Sequence, residues 1–166
     1  MHRYLQVLTA TLKSFAHGAN DVANAAGPFA AIQGLYMGSD DPCNLQTAVW
    51  VLLLVGVMMV VGLAISGHHV IQTIGTGLTS LDFCTGFAVE LGSTLSVVLA
   101  SCFGMPVSST HCQVGSVICI GMYEHGVRNV QWNKMLHIVI SWLVTVPVAA
   151  LVAAGLLAGV LALLTV

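Results

Sequence analysis

Two stretches of this chain run the depth of a bilayer without a charged residue, which excludes most soluble folds. Ala48 to Ser66 reads AVWVLLLVGVMMVVGLAIS, and Leu136 to Val166 reads LHIVISWLVTVPVAALVAAGLLAGVLALLTV. A membrane-spanning helix needs about 20 mostly apolar residues. Both stretches are therefore expected to cross, the second with tilt and with a kink at Pro147, which lacks a backbone donor. Trp50 stands near one end of the first, where an interfacial anchor belongs. Charged residues are only 6% of the 166 and hydrophobic ones 57%, against about 25% charged in an ordinary soluble domain. The mean hydropathy is +0.95. Six acidic and four basic side chains cannot clothe a soluble domain of this size. The expectation is an all-α integral membrane protein with a single domain, residues 1–166.

Other classes fall away quickly. A net charge of −2 with four basic residues leaves no electrostatic footprint for nucleic acid. The five cysteines include no C-x-x-C pair and read as small buried hydrophobes or free thiols. No small-residue cleavage site follows an apolar core near the amino terminus, so no cleaved leader is expected. His68-His69 has no companion ligand cluster at zinc spacing. With no nucleophile–base pair either, the chain is not expected to be an enzyme.

Two further apolar regions are interrupted. Residues 1–36 would make one long helix, yet the middle reads His17-Gly18-Ala19-Asn20-Asp21-Val22-Ala23-Asn24. A break at Gly18–Asp21 is expected, with Asn20 or Asp21 capping a second half-helix. Residues 87–123 are too long for one crossing and break at Phe103-Gly104-Met105-Pro106. The two arms of about 17 residues sit at the lower limit of a full span. A hairpin of two short helices that dips in and returns fits at least as well as two crossings. The layout is then about three transmembrane helices (1–36, 48–66 and 136–166) plus a re-entrant helical hairpin at 87–123. Gly38–Asn44, His68–Thr85 and Glu124–Lys134 connect them.

The interruptions carry the chemistry. An ionisable group at bilayer depth costs about 2.5–3.5 kcal/mol or more, so Asp21 is a functional candidate by default. Asp21 and Asn24 stand three residues apart and project from one helical face. Their oxygens, with those of Asn20, suit a small hard cation. In Pro106-Val107-Ser108-Ser109-Thr110-His111, three hydroxyl residues precede an apolar arm, where a helix N-terminus belongs. Free amides and hydroxyls there suit a tetrahedral oxyanion. A polar helix break beside a hydroxyl-tipped hairpin is the midplane arrangement of a secondary transporter. A pore subunit, or a non-transporting regulatory partner of a full transporter, is the alternative. Glu90 either stabilises the start of its arm or neighbours the site. His17 and His111 read as polar packing.

At these residues the chain resembles the inorganic phosphate transporter family, the sodium-dependent phosphate symporters and low-affinity phosphate permeases. FAHGANDVANAAGP at Phe15–Pro28 is similar to one family signature, and MPVSSTHCQVGSV at Met105–Val117 to a second. LQVLTA, GFAVELGSTLSVVLAS and SWLVTVPVAA match in order and spacing. The resemblance implies one half of an inverted-repeat transporter, matching the carboxy-terminal half only, that moves inorganic phosphate with a coupling cation. The Val-Ser-Ser-Thr-His-Cys wording resembles sodium-coupled members. Ser108, Ser109, Thr110 and Asn20 are then expected to bind phosphate, and Asp21 and Asn24 sodium. No cofactor is expected beyond sodium as coupling ion. The expected partners are phosphate, sodium and the lipid bilayer of the plasma membrane. Only one signature of each kind is present, so a fragment, or pairing with another copy or with an amino-terminal half, is expected.

Overall fold

The computed structural model describes residues 2–38, 47–75, 78 and 82–164. Residues 39–44 of one expected connector, Cys43 among them, and 76, 77 and 79–81 of the next lie outside those residues. Five α-helices and a short 3-10 turn are present in them, with no strand. They are α1 (His2–Tyr36), α2 (Val49–Gly75), α3 (Phe83–Cys102), α4 (Ser109–His125) and α5 (Trp132–Leu164). The chain divides into two compact units, 1–130 and 131–166.

The first unit is organised by α1 and α3. Gly86 of α3 faces the Gln6 amide, where a Cβ would collide with it. Thr9 bonds Glu90, and Ser101 bonds Asn20. Residue numbers rise together along both helices, so α1 and α3 run parallel. After Cys102 the chain reverses and α4 packs back against α3. Val89 and Val97 of α3 and Val114, Val117 and Ile118 of α4 are all buried. On α4 the spacing is that of one helical stripe. α2 packs on α1, where Phe29 and Trp50 meet edge to face with centroids 5.7 Å apart.

The hairpin turn is built by recognisable local chemistry. Gly104 takes φ +66°, a conformation L side chains disfavour. Its N–H donates to the Ser101 carbonyl, and the Met105 N–H donates to that of Ala100. That pair of bonds is a Schellman termination of α3, with Pro106 following to bar further helix. Asp82 opens the same helix. Its carboxylate accepts from the Cys84 and Thr85 amides, and Thr85 Oγ1 accepts from the Asp82 N–H in return. This reciprocal cap is a role the sequence reading did not give to Asp82. Glu90 lies two turns inside α3 and so does not start the arm.

Depth follows from helix geometry. Asn20 stands 18 residues from one end of α1 and 16 from the other, about 27 and 24 Å at 1.5 Å per residue. The hairpin turn meets α1 at that midpoint, through Val107. The α3–α4 hairpin therefore turns beside the midpoint of α1.

Two sequence expectations are corrected. α1 is continuous through Gly18–Asp21. Asn20 and Asp21 find partners across the interface, so their side chains need no unwound turn to be satisfied. α2 extends to Gly75, making His68 and His69 helical rather than part of a connector. Their rings lie with centroids 3.8 Å apart. By length and composition alone, the membrane-spanning candidates among the described residues are Val49–Gln72, Phe83–Cys102 and Trp132–Leu164. α2 and α5 carry apolar residues on every side, with none of α5 buried, which suits helices solvated by lipid. α5 has 33 residues, about 50 Å long, and runs as helix through Pro147.

The unbroken α1 has a measurable consequence. Nothing lies within 4 Å of a Cβ built on Gly18, so Gly18→Ala is expected to stabilise the detergent-solubilised chain, by up to about 1 kcal/mol. A loss of thermal stability would indicate a helix broken there. Asp82→Ala removes the α3 cap and is expected to lower stability by about 1 kcal/mol, read from the same melting curves.

Candidate functional site at the hairpin tip

The middle of α1 presents Asn20, Asp21 and Asn24 toward the turn between α3 and α4. Positions 20 and 24 lie one turn apart, so both carboxamides reach the same atom. Each donates from Nδ2 to the Val107 carbonyl, at 2.9 Å from Asn20 and 3.1 Å from Asn24. A carbonyl has two lone pairs and accepts both. Val107 is available because it follows Pro106 in extended backbone between two helices, where its oxygen has no helical donor. Pro28, one turn beyond Asn24, likewise cannot donate to the Asn24 carbonyl.

Asp21 turns to the other side of the tip. Ser109 Oγ lies 2.9 Å from Asp21 Oδ1 and 2.8 Å from Oδ2, so one hydroxyl proton is shared between the carboxylate oxygens. The same Oδ1 accepts from Asn20 Nδ2 at 3.2 Å. Asn20 Oδ1 in turn lies 3.4 Å from the Ser101 hydroxyl, which donates to it. Asn20 and Ser109 are buried, Asp21 is half-buried, and Asn24, Ser108 and Thr110 are exposed. Ser108 is the N-cap of α4 and accepts from the His111 amide at 3.3 Å.

The six residues singled out in the sequence thus gather at one place in unequal ways. Asn20, Asp21, Asn24 and Ser109 form one bonded cluster centred on Val107. Ser108 caps the helix beside it, and Thr110 occupies the first turn. A cavity of about 600 Å³ opens between α1 and α3 along Asn20, Asn24 and Ser101, with Phe15, Val97 and Met105 among its apolar walls. Asp21 and the three hydroxyl residues 108–110 do not line it. The Val107 carbonyl and the Ser101 hydroxyl were not foreseen. A backbone acceptor left open between Pro106 and a helix start is the signal that could have found the first.

Chemically the cluster is rich in oxygen. Asp21, the Ser109 hydroxyl, Asn20 Oδ1 and the Val107 carbonyl are hard ligands of the kind alkali cations take, and the hydroxyls also donate to an anion. Together the fold and the site define a multi-pass membrane protein with a polar cluster where a helical hairpin turns against the middle of a long helix. The chain belongs to the phosphate transporter family, whose sequence profile matches residues 1–153. It is 43% identical over 158 residues to sodium-dependent phosphate transporter 1-B of Xenopus laevis, and equally to sodium-dependent phosphate transporter 1 of Homo sapiens. Each match covers 95% of this chain and 23% of the relative. A solved structure described as "The sodium-dependent phosphate transporter" superposes with a TM-score of 0.72 at 38% identity, over 86% of this chain and 35% of that one. The chain therefore spans about a quarter of the length of the curated relatives it matches.

The two asparagines are expected to differ in weight. Asn20→Ala removes a buried donor and acceptor and should destabilise the chain by about 1–3 kcal/mol. Asn24→Ala is exposed and leaves Val107 with its Asn20 bond, so its loss should be below about 1 kcal/mol. Chemical or thermal unfolding in detergent compares them directly.

Proposed function

We propose that the chain supplies one half of a sodium-coupled inorganic phosphate symport site in the plasma membrane. In this reading Asp21 and Asn24 hold sodium, and Ser108, Ser109, Thr110 and Asn20 contact phosphate. The observation that carries it is the Ser109–Asp21 hydrogen bond. Near neutral pH, phosphate carries between one and two negative charges. Beside an ionised Asp21 it meets a repulsion of roughly 4 kcal/mol at 4 Å with an effective dielectric of 20. The carboxylate also engages the Ser109 proton that the anion would need. A sodium ion on Asp21 removes the repulsion and competes for the carboxylate lone pairs, releasing Ser109 to donate outward. Coupling then needs no distant relay: the cation on Asp21 frees the neighbouring Ser109 hydroxyl for the anion. The relatives, named as sodium-dependent phosphate transporters, support the substrate and the coupling ion. The remaining contacts come from the partner half, whether a second copy or an amino-terminal half.

The test is radiolabelled phosphate uptake in a full-length family context carrying Asp21→Asn. Uptake is expected to fall and to lose its steep dependence on sodium; an unchanged sodium requirement rejects the assignment. Sulfate carries no proton at neutral pH, whereas phosphate retains a P–OH that can donate to a carboxylate or carbonyl oxygen in the site. Sulfate is therefore expected to compete poorly for uptake, and strong inhibition by it would remove the P–OH contact from the scheme.

A further inference from the structure

The two ends of the first unit differ in charge. Gln6 packs on Gly86 and Thr9 donates to Glu90 at 2.7 Å, so α3 starts beside the start of α1. α4 returns along α3, and a Cβ built on Gly92 would lie 3.5 Å from Ser116 Oγ. Nine residues back from Gly92 is Phe83, the first of α3, and nine on from Ser116 is His125, the last of α4. Antiparallel helices in that register finish level, about 14 Å from the Gly92–Ser116 contact. Arg128 follows at once in the 3-10 turn Val127–Asn129. Arg3 stands in the first turn of α1. Both arginines are exposed, and both lie at one end of the unit.

The opposite end carries no such charge. α1 finishes there at Tyr36, and α2 starts there, with Trp50 edge to face on Phe29. Between Lys13 and Arg128 the sequence contains no lysine or arginine, so neither the stretch 37–48 nor the hairpin turn carries one. That stretch holds Asp40 and Asp41 instead. Lys13, the remaining basic residue of the unit, belongs to the Arg3 half of α1. Aromatic side chains mark both ends: Tyr4 and Tyr123 are exposed at the arginine end, Tyr36 and Trp50 at the other. From Tyr4 to Phe29, the partner of Trp50, α1 rises about 38 Å. A bilayer with its headgroup zones measures about 40–45 Å, and Tyr and Trp settle at those zones.

Lys and Arg near the ends of membrane helices stay on the cytoplasmic side, whose leaflet is negatively charged, while acidic residues contribute little. We infer that this chain inserts in one orientation, with the Arg3–Arg128 end of the first unit against the anionic cytoplasmic leaflet and the α1–α2 connector on the opposite face. Contacts of the two arginines with anionic headgroups set that orientation. Both feet of the α3–α4 hairpin then stand on the cytoplasmic side. Neither placement depends on what the polar cluster binds.

The test uses the 166-residue chain in the membrane of an expression host, with its native cysteines replaced by alanine. Single cysteines are introduced as Met37→Cys or Val127→Cys, both at exposed positions. Right-side-out vesicles are labelled with a membrane-impermeant maleimide before and after permeabilisation. Met37→Cys is expected to label to the same extent in both conditions, and Val127→Cys several-fold more after permeabilisation. The reverse pattern, or equal labelling of both positions from outside, overturns the orientation. A second set carries Arg3→Gln/Arg128→Gln with Asp40→Lys/Asp41→Lys, which moves basic charge to the other end. In that set Val127→Cys should become reachable from outside in part of the population. An unchanged pattern rejects the two arginines as the groups that set orientation. Should the cysteine-free chain accumulate poorly, the same substitutions are read in the native background as labelling added over the parent chain.

Discussion

The hydrogen bonds that join the middle of α1 to the tip of the α3–α4 hairpin hold the first unit in its functional form. The Val107 carbonyl receives two carboxamides, and the Ser109 hydroxyl closes on Asp21. An extended segment between two helices exposes backbone acceptors that lipid cannot satisfy, and such backbone is tolerated only where protein supplies the donors. Asn20 and Asn24 are those donors. The same contacts set the depth of the hairpin, because they pin its turn at the midpoint of a helix some 50 Å long.

The parallel packing of α1 on α3 brings the rest into line. Gly86 admits Gln6, Thr9 bonds Glu90 and Ser101 bonds Asn20, a seam of polar contacts between two helices whose other faces are largely apolar. Buried valines, Val89 and Val97 on α3 and Val114 and Val117 on α4, make up much of the apolar core of the same unit.

Much of this was legible in the order of residues. Apolar windows identified α2 and α5, and Phe103-Gly104-Met105-Pro106 marked the hairpin turn. An aspartate set among apolar residues pointed to the polar cluster, and two motifs some ninety residues apart pointed to the family. The continuity of α1 was not legible. Gly18 beside three polar residues reads locally as a break, and the partners that make a break unnecessary lie 81 to 88 residues away. The length of α2 past His68 was hidden because polar residues end an apolar window before they end a helix.

By itself the sequence determined that the chain is helical, that it belongs in a membrane, and which polar side chains are too costly there to be incidental, since each of these depends on composition and local spacing. Tertiary structure alone decided that Asp21 meets Ser109 while Asn20 and Asn24 share Val107, and that Glu90 faces Thr9. Those pairings depend on the parallel register of α1 against α3 and on the depth of the turn. Both are properties of packed surfaces that no local stretch of residues encodes.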